Sequence, residues 1–166
     1  MLAAPRIEFT MKTVKRFFLG TGALLASALL ITRMTGLNPR GPRPGLWLSG
    51  DLVISPVSDW SFANDYPTIE VQTTTWYWIP HSVTIWGVGN HDYLYLQAIG
   101  NWKRNVIRDP HVRVKVGKQL YDRTAVYVVD PTEYWLVAQG MNKKYGNKWP
   151  LPKEVFPDAF LRVGNN

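Results

Sequence analysis

An uncharged and largely apolar run from Phe17 to Ile31, preceded by three closely spaced basic residues, most constrains how this chain can fold. A helix of that length rises about 1.5 Å per residue and reaches about 22 Å, which is shorter than the roughly 30 Å core of a bilayer. Continuing the helix through Thr32–Leu37 supplies the missing length if Arg33 extends its side chain to the interface. The run therefore predicts one membrane-anchoring helix near the N-terminus.

Two other interpretations of the run stay open. Ala26-Ser27-Ala28 has the small-residue pattern of a signal-peptide cleavage site, although apolar residues continue after it, where a mature N-terminus is usually polar. A core helix of a soluble protein is disfavoured, because the basic flanks have no acidic partners nearby. Met11, which is followed by a basic stretch, also has the context of a translation start, and residues 1–10 would then be an extension.

The charge of the chain is concentrated around this run. Residues 1–45 carry seven basic side chains and one acidic side chain, whereas residues 46–166 carry twelve basic and eleven acidic ones. Most of the formal net charge of +7 therefore flanks the apolar run, where basic residues set topology and attract lipid headgroups. We expect no nucleic-acid partner. Four basic residues precede the run and three follow it, which favours a globular part on the periplasmic face of a bacterial inner membrane.

The remainder of the chain has the pattern of a β-rich domain. We divide the chain into an anchor or signal segment at residues 1–37, a Pro/Gly linker at 38–46 and a folded domain at 47–166. The alternation of apolar and polar residues predicts six short strands, at 51–54, 68–75, 81–89, 92–98, 111–117 and 120–129.

Two helices interrupt this pattern. Residues 101–108 predict a short helix that ends before Pro110, and Asp130 with Pro131 predicts the start of a second helix, which runs to about Tyr145. The whole order predicts a mainly β protein with two helices, in which six or so antiparallel strands form a small barrel after one transmembrane helix.

Several kinds of site are excluded. The chain has no Cys, which rules out disulfides, Cys-ligated zinc, iron–sulfur clusters and a thiolate nucleophile. Its histidines, His81, His91 and His111, lack ligand spacing and a carboxylate pair, so we expect no metal site. Hydrolase triads, phosphate loops and dinucleotide fingerprints are also missing from the sequence.

A family resemblance rests on four stretches in a fixed order: Pro80-His81-Ser82-Val83-Thr84-Ile85-Trp86, Tyr93-Leu94-Tyr95-Leu96, Trp102-Lys103-Arg104-Asn105-Val106 and Asp109-Pro110-His111-Val112-Arg113-Val114. This order resembles the split-barrel flavin-binding superfamily, which includes pyridoxamine-phosphate oxidase-like proteins and deazaflavin-dependent nitroreductases. The resemblance covers about residues 68–129, and its most specific part is Trp102–Val114. It implies a split β-barrel and a homodimer, with a flavin mononucleotide (FMN) or deazaflavin cofactor at the subunit interface.

The same resemblance assigns candidate cofactor-binding residues. Lys103, Arg104 and Asn105 match the helix-start motif that contacts the cofactor's phosphate or polar tail. Thr73, Thr74 and Thr75 match the end of the strand that lines the ring system. His81, at the head of the next strand, is a candidate contact for cofactor or substrate.

The chain departs from the superfamily at one hairpin. Where relatives place Gly-Arg/Lys-x-Ser-Gly, this sequence has Trp76-Tyr77-Trp78-Ile79, which contains neither a charge nor a glycine. A main anion-binding residue is therefore missing. The three aromatic residues have two interpretations, packing in the core or a dimer, and a stacking wall or membrane-docking patch.

These features predict a membrane-anchored flavin- or deazaflavin-dependent oxidoreductase that acts on a small quinone- or nitro-like acceptor. The alternative is a non-catalytic, membrane-tethered binding or assembly module that kept the split barrel and lost the cofactor. The intact Lys103-Arg104-Asn105 motif favours the enzyme, and the substituted hairpin favours the module.

The anchor can be tested on membranes from cells that express the full chain. Because a spanning helix is held by burial of its apolar surface, the protein should stay in the membrane pellet through carbonate and high-salt washes and leave it only in detergent. Immunoblotting detects the protein in each fraction. Release of the full-length protein by either wash would contradict the anchor.

Overall fold

The computed structural model describes residues 11–146 and 159–164. The chain divides into two compact units, Met1–Thr35 and Gly36–Asn166. In the first unit, helix α1 spans Met11–Thr35, and the part from Val14 to Thr35 is long and apolar enough to cross a membrane. Its apolar side chains are exposed in the protein, which agrees with the helix expected from the apolar run.

The second unit is built on a sheet of eight strands. They are β1 (Asp51–Leu52), β2 (Ile69–Thr74), β3 (Pro80–Ile85), β4 (Gly87–Gly89), β5 (Leu94–Gln97), β6 (His111–Val116), β7 (Gln119–Tyr127) and β8 (Phe160–Gly164). Two helices complete the unit, α2 (Lys103–Arg108) and α3 (Pro131–Tyr145), with a short 3-10 helix at Ser61–Asp65. The prediction of a mainly β domain with two helices is confirmed.

The sheet closes because one stretch of chain takes part at both ends. The strands follow the order β3-β2-β6-β7-β8-β5-β4, and β3 and β4 are joined directly through Trp86. A sheet whose first and last strands are consecutive in the chain must curl round on itself, and the result is the split barrel. The backbone N–H of Gln97 donates to the carbonyl of Trp86 at 2.9 Å and supports the junction.

The strand predicted at 81–89 is therefore two strands. A straight strand cannot pair at both ends of one sheet, so the chain bends at Trp86. The segment after the bend also passes close to other backbone: a Cβ atom at Gly89 would overlap the carbonyl oxygen of Trp60. Glycine lets these two backbone segments approach each other.

Two further strands differ from the prediction. β8, a strand that sequence periodicity missed, pairs with both β5 and β7 and completes the barrel wall. β1 is only two residues long and runs parallel to β7, whereas all strands were expected to be antiparallel. Helix α3 agrees with its predicted signals, since the Asp130 side chain accepts from the N–H of Glu133 at 2.8 Å and Gly146 ends the helix in a left-handed conformation.

Two apolar clusters hold this unit together. The barrel interior is filled by fully buried side chains that include Ile69, Val71, Leu94, Leu96, Val114, Leu161 and Val163. The second cluster lies where α3 covers the sheet, with Tyr134, Val137, Ala138 and Met141 against Tyr95 and Phe160. Full burial of one such aliphatic side chain contributes roughly 1.5–3 kcal/mol, so these clusters dominate stability.

The Pro/Gly segment, for which we predicted a linker, is hydrogen-bonded to β3. Gly45 donates its N–H to the carbonyl of Ser82 at 2.8 Å and accepts from the N–H of Ser82 at 3.1 Å. Arg40 and Arg43 exchange a similar pair of bonds across a tight turn. Residues 41–44 are thereby held over one end of the barrel.

The hairpin between β2 and β3 has an unusual conformation. The N–H of Trp78 donates to the carbonyl of Thr75 at 3.1 Å, and the N–H of Thr75 donates to the carbonyl of Ile79 at 3.1 Å. Trp78 has a φ of 65°, in the left-handed region where glycine is usual. Its side chain is 85% exposed, so little packing within the protein offsets this strain.

Replacing Trp78 with Gly should therefore stabilise the fold. A left-handed conformation costs a non-glycine residue about 1–2 kcal/mol, and the greater freedom of glycine in the unfolded chain offsets about 0.5–1 kcal/mol of the gain. We expect the free energy of unfolding of Trp78→Gly, measured by urea titration in detergent, to rise by up to about 1 kcal/mol. Trp76→Gly is the matched control and should show no rise; a decrease for Trp78→Gly would contradict the strain.

Candidate cofactor-binding cleft

A cleft of about 420 Å³ lies at one side of the barrel, where three segments meet. The 41–44 segment forms one wall, β3 with Trp86 forms the floor, and the connection from β5 to α2 forms the other wall. The lining residues are Gly41, Pro42, Arg43, Pro44, His81, Val83, Thr84, Ile85, Trp86, Gln97, Ile99, Gly100, Asn101 and Trp102. The lining is mainly apolar and aromatic with a few polar groups, which is typical of small-molecule sites.

Two ring nitrogens at this cleft lack hydrogen-bond partners among the described residues. They are Nδ1 of His81 and Nε1 of Trp102, and both atoms are buried. A buried polar group without a partner costs about 1–3 kcal/mol, so native proteins seldom leave one unexplained. A molecule in the cleft that presents hydrogen-bonding atoms to these rings would remove that cost.

Burial also lowers the pKa of His81, because desolvation disfavours the charged imidazolium. The neutral ring can donate from one nitrogen and accept at the other, and the tautomer decides which. His81 is thus suited to a neutral, hydrogen-bonding ligand.

Helix α3 supports the floor of the cleft from behind. The ring of Tyr145 stacks on Trp86 with a centroid distance of 4.7 Å, and its hydroxyl donates to the carbonyl of Gly87 at 2.9 Å. Nζ of Lys144 donates to the same carbonyl at 2.7 Å and to that of Ala63 at 2.9 Å. Burial lowers the pKa of Lys144 to about 8. The stacked Tyr145 ring and these hydrogen bonds to Gly87 hold Trp86 at the strand junction.

Thr73, His81 and Asn105, three of the predicted site residues, are brought together. Thr73 lies opposite His81 in the β2–β3 register and is 2% exposed. Nδ2 of Asn105 donates to Oγ1 of Thr73 at 3.0 Å, and Thr73 in turn donates to the carbonyl of His81 at 3.4 Å. Of these three, His81 lines the cleft, whereas Thr73 and Asn105 bond to each other and fix α2 against β2.

Thr74 and Thr75 instead belong to the hairpin. The guanidinium of Arg108 donates to the carbonyl of Thr74, and the Thr75 hydroxyl donates to the carbonyl of Ile79 at 2.5 Å. These contacts tie the base of the hairpin to the end of α2. Neither of these two residues lines the cleft.

Lys103 and Arg104 directly follow Trp102 in the chain and begin α2. Arg104 is exposed and Lys103 is half-buried. The backbone carbonyl of Lys103 accepts a hydrogen bond from the Tyr127 hydroxyl at 3.4 Å. The two basic residues are thus adjacent in the chain to a cleft-lining ring, although neither lines the cleft itself.

Four cleft residues were missed by sequence reasoning: Arg43, Trp86, Gln97 and Trp102. Trp102 stood in the recognised motif but had no assigned role, and a buried tryptophan is usually core. Arg43 was assigned to a linker, and the pairing of the nearby Gly45 with Ser82 of β3 brings it here. No local signal in the sequence marks Trp86 or Gln97.

The lowered pKa of His81 makes the stability pH-dependent. The unfolded chain takes up a proton on this ring at a higher pH than the folded protein does, so stability is lost as the pH falls below about 6.5. The unfolding free energy of His81→Gln should fall less steeply with decreasing pH than that of the wild type, with both compared to their values at about pH 8. Urea titrations across this range that give parallel curves would contradict the assignment.

Comparison with known proteins identifies the fold. No protein-family model and no curated protein matches the chain. The crystal structure of HutZ, the heme storage protein from Vibrio cholerae, is 18% identical, with 63% of this chain and 85% of that one covered, and has a TM-score of 0.52.

Two further structures have a TM-score of 0.48. A putative pyridoxamine 5'-phosphate oxidase from Listeria innocua is 14% identical, with 61% and 85% covered, and an F420-H2 dependent reductase, FDR-A, is 20% identical, with 58% and 93% covered. The split β-barrel predicted from the sequence is confirmed as a fold: the globular part of this chain shares its fold with HutZ.

Proposed function

We propose that the barrel binds FMN or a deazaflavin in this cleft. On this proposal the protein is a membrane-anchored oxidoreductase, which passes a hydride or electrons to a small quinone- or nitro-like acceptor. The observation that carries the proposal is a cleft lined by His81 and Trp102, whose buried ring nitrogens have no hydrogen-bond partners among the described residues.

The residues of the cleft fit a planar ring with one polar edge. Trp86 supplies aromatic surface, on which a flat ring can stack, and the more deeply buried Trp102 lines the cleft beside it. Nε1 of Trp102 can only donate, and a ring carbonyl oxygen is a matching acceptor. Nδ1 of His81 can donate or accept and suits either a carbonyl or a ring N–H. The chain would thereby orient the ring and shield it from water.

Basic side chains near the cleft fit an anionic tail. Arg43 lines the cleft, and Lys103 and Arg104 follow Trp102 in the chain. Guanidinium and ammonium groups form charge-assisted hydrogen bonds with phosphate or carboxylate oxygens. Such a cofactor would supply the redox chemistry. The chain has no cysteine, and the described residues contain no group of His, Asp and Glu side chains that could hold a metal ion.

The quaternary and cellular parts of the proposal rest on sequence. The family resemblance implies a homodimer with the cofactor near the subunit interface. The α1 helix and its basic flanks support an anchor in a bacterial inner membrane, with the barrel on the periplasmic side. The fold alone does not name a ligand, since HutZ is described as a heme storage protein.

One observation favours the alternative, a membrane-tethered binding or assembly module without a cofactor. The hairpin that carries Gly-Arg/Lys-x-Ser-Gly in relatives here exposes Trp76 and Trp78, at 76% and 85%. These rings offer no charge to a phosphate. An anionic tail would then depend on Arg43, Lys103 and Arg104.

Flavin titration tests the proposal. A charge-assisted contact contributes about 1.5–3 kcal/mol, so Arg104→Ala should weaken binding of FMN or a deazaflavin by roughly 10- to 150-fold. The stability of the fold should change by less than about 0.5 kcal/mol, because Arg104 is exposed. Fluorescence quenching of each compound by the detergent-purified full-length protein measures the affinity.

Two variants complete this experiment. Lys118→Ala removes an exposed positive charge in the β6–β7 turn and should leave the affinity unchanged. Trp102→Phe keeps an aromatic ring but removes the unpartnered N–H, and should weaken binding even though Arg104 is intact. Equal affinity in all four proteins would remove the site assignment, and failure of the wild type to bind either compound would favour the non-catalytic module.

A further inference from the structure

The tip of the β2–β3 hairpin, residues 75–79, presents three aromatic rings to solvent. Trp76 is 76% exposed, Tyr77 is 50% exposed and Trp78 is 85% exposed. The rings of Trp76 and Tyr77 pack edge to face at 5.2 Å, and the tip is otherwise outside both apolar clusters. Of the first interpretation of these residues, packing in the core of the subunit is therefore wrong, and packing in a dimer stays a prediction.

The backbone of this tip is held in a conformation that a tryptophan disfavours. Trp78 lies in the left-handed region with a φ of 65°, where glycine would be free of strain. Because the Trp78 side chain is mostly exposed, the isolated subunit gains little from having that ring there. Strain of this kind tends to occur at functional positions, and here it aims an indole ring away from the barrel.

The chemistry of the tip matches the headgroup region of a lipid bilayer. Trp and Tyr are enriched at membrane–water interfaces, because each combines an apolar ring with one polar atom. Arg108 donates to the carbonyl of Thr74 and places an exposed positive charge at the base of the hairpin. A positive charge next to interfacial aromatics suits anionic lipid headgroups.

The same chain also carries a helix of membrane-spanning length and composition, α1. A domain joined to such a helix is confined near the bilayer, so a weak second contact is made at a high effective concentration. Three interfacial side chains are then sufficient for a stable contact.

We infer that the 75–79 hairpin is a membrane-docking element, which inserts Trp76, Tyr77 and Trp78 into the headgroup region of the bilayer. The occupant of this surface is the lipid, and the docking does not require a bound cofactor. Its failure would leave the proposed flavin site untouched, because none of the three aromatic residues of the tip lines the cleft.

Strand register supplies a matched control position. Glu70 pairs with Lys115 and Gln72 with Arg113, so β6 runs toward the end of the sheet opposite the hairpin tip. The exposed Lys118, in the turn after β6, therefore lies at the far end of the barrel wall from Tyr77. A probe at Lys118 should report water where a probe at Tyr77 reports lipid.

The experiment uses the full chain, which has no native cysteine. Tyr77→Cys, Trp76→Cys and Lys118→Cys are each labelled with the environment-sensitive fluorophore NBD and reconstituted in nanodiscs of phosphatidylcholine and phosphatidylglycerol. Circular dichroism first confirms that each variant is folded. Quenching is then measured with aqueous iodide and with a doxyl-labelled lipid in the disc.

We expect the probes at positions 76 and 77 to have blue-shifted emission, strong quenching by doxyl lipid and weak quenching by iodide. The probe at 118 should show the reverse, with at least a several-fold difference in the ratio of the two quenching constants. Iodide quenching at 77 equal to that at 118 would place the hairpin in water and overturn the inference. Protection at 77 from both quenchers would also overturn it, since the hairpin would then be covered by protein, such as a second copy of the chain.

Discussion

The stretch from Pro80 to Gly89 pairs at both ends of the same sheet, and the rest of the barrel depends on this closure. β3 pairs with β2 at one end, β4 pairs with β5 at the other, and a bend at Trp86 joins them. Closure encloses the apolar faces of the strands in one core. Helix α3 reinforces the bend, because Lys144 and Tyr145 both donate to the carbonyl of Gly87.

The same bend creates the candidate site. It turns the chain outward at Trp86, and the floor of the cleft is formed where β3 ends. The two walls come from residues that are distant from β3 in the sequence. One is the Pro/Gly segment that pairs with Ser82, and the other includes Trp102, which precedes α2. Two ring atoms of cleft-lining residues, Nδ1 of His81 and Nε1 of Trp102, are buried without partners among the described residues. The structure thus separates a cleft with unmet hydrogen-bonding capacity from a hairpin whose aromatic rings face outward.

Much of the architecture was predictable, because its signals are local. The apolar run indicated α1, the Asp130–Pro131 pair indicated the start of α3, and period-two alternation indicated β2, β6 and β7. The structure places the predicted site residues in different surroundings. Of the proposed contacts His81 lines the cleft, while Thr73 and Asn105 are engaged with each other and Thr74 and Thr75 belong to the hairpin. A family motif identifies residues that lie near a site, but a hydrogen bond such as Asn105 to Thr73 decides whether a side chain faces a ligand or supports the fold.

By itself the sequence determined the span-length helix, the β-rich class and the basic flanks, since hydropathy, periodicity and charge depend on neighbours along the chain. Only the tertiary structure decided that residues 80–89 form two strands, that Phe160–Gly164 completes the wall and that Arg43 lies over the cleft. Each of these depends on pairing between residues far apart in the chain. β8 is stabilised by hydrogen bonds to β5 and β7. The tertiary structure also decided that Trp76 and Trp78 are exposed, because the hairpin turn with its left-handed residue lies outside the core.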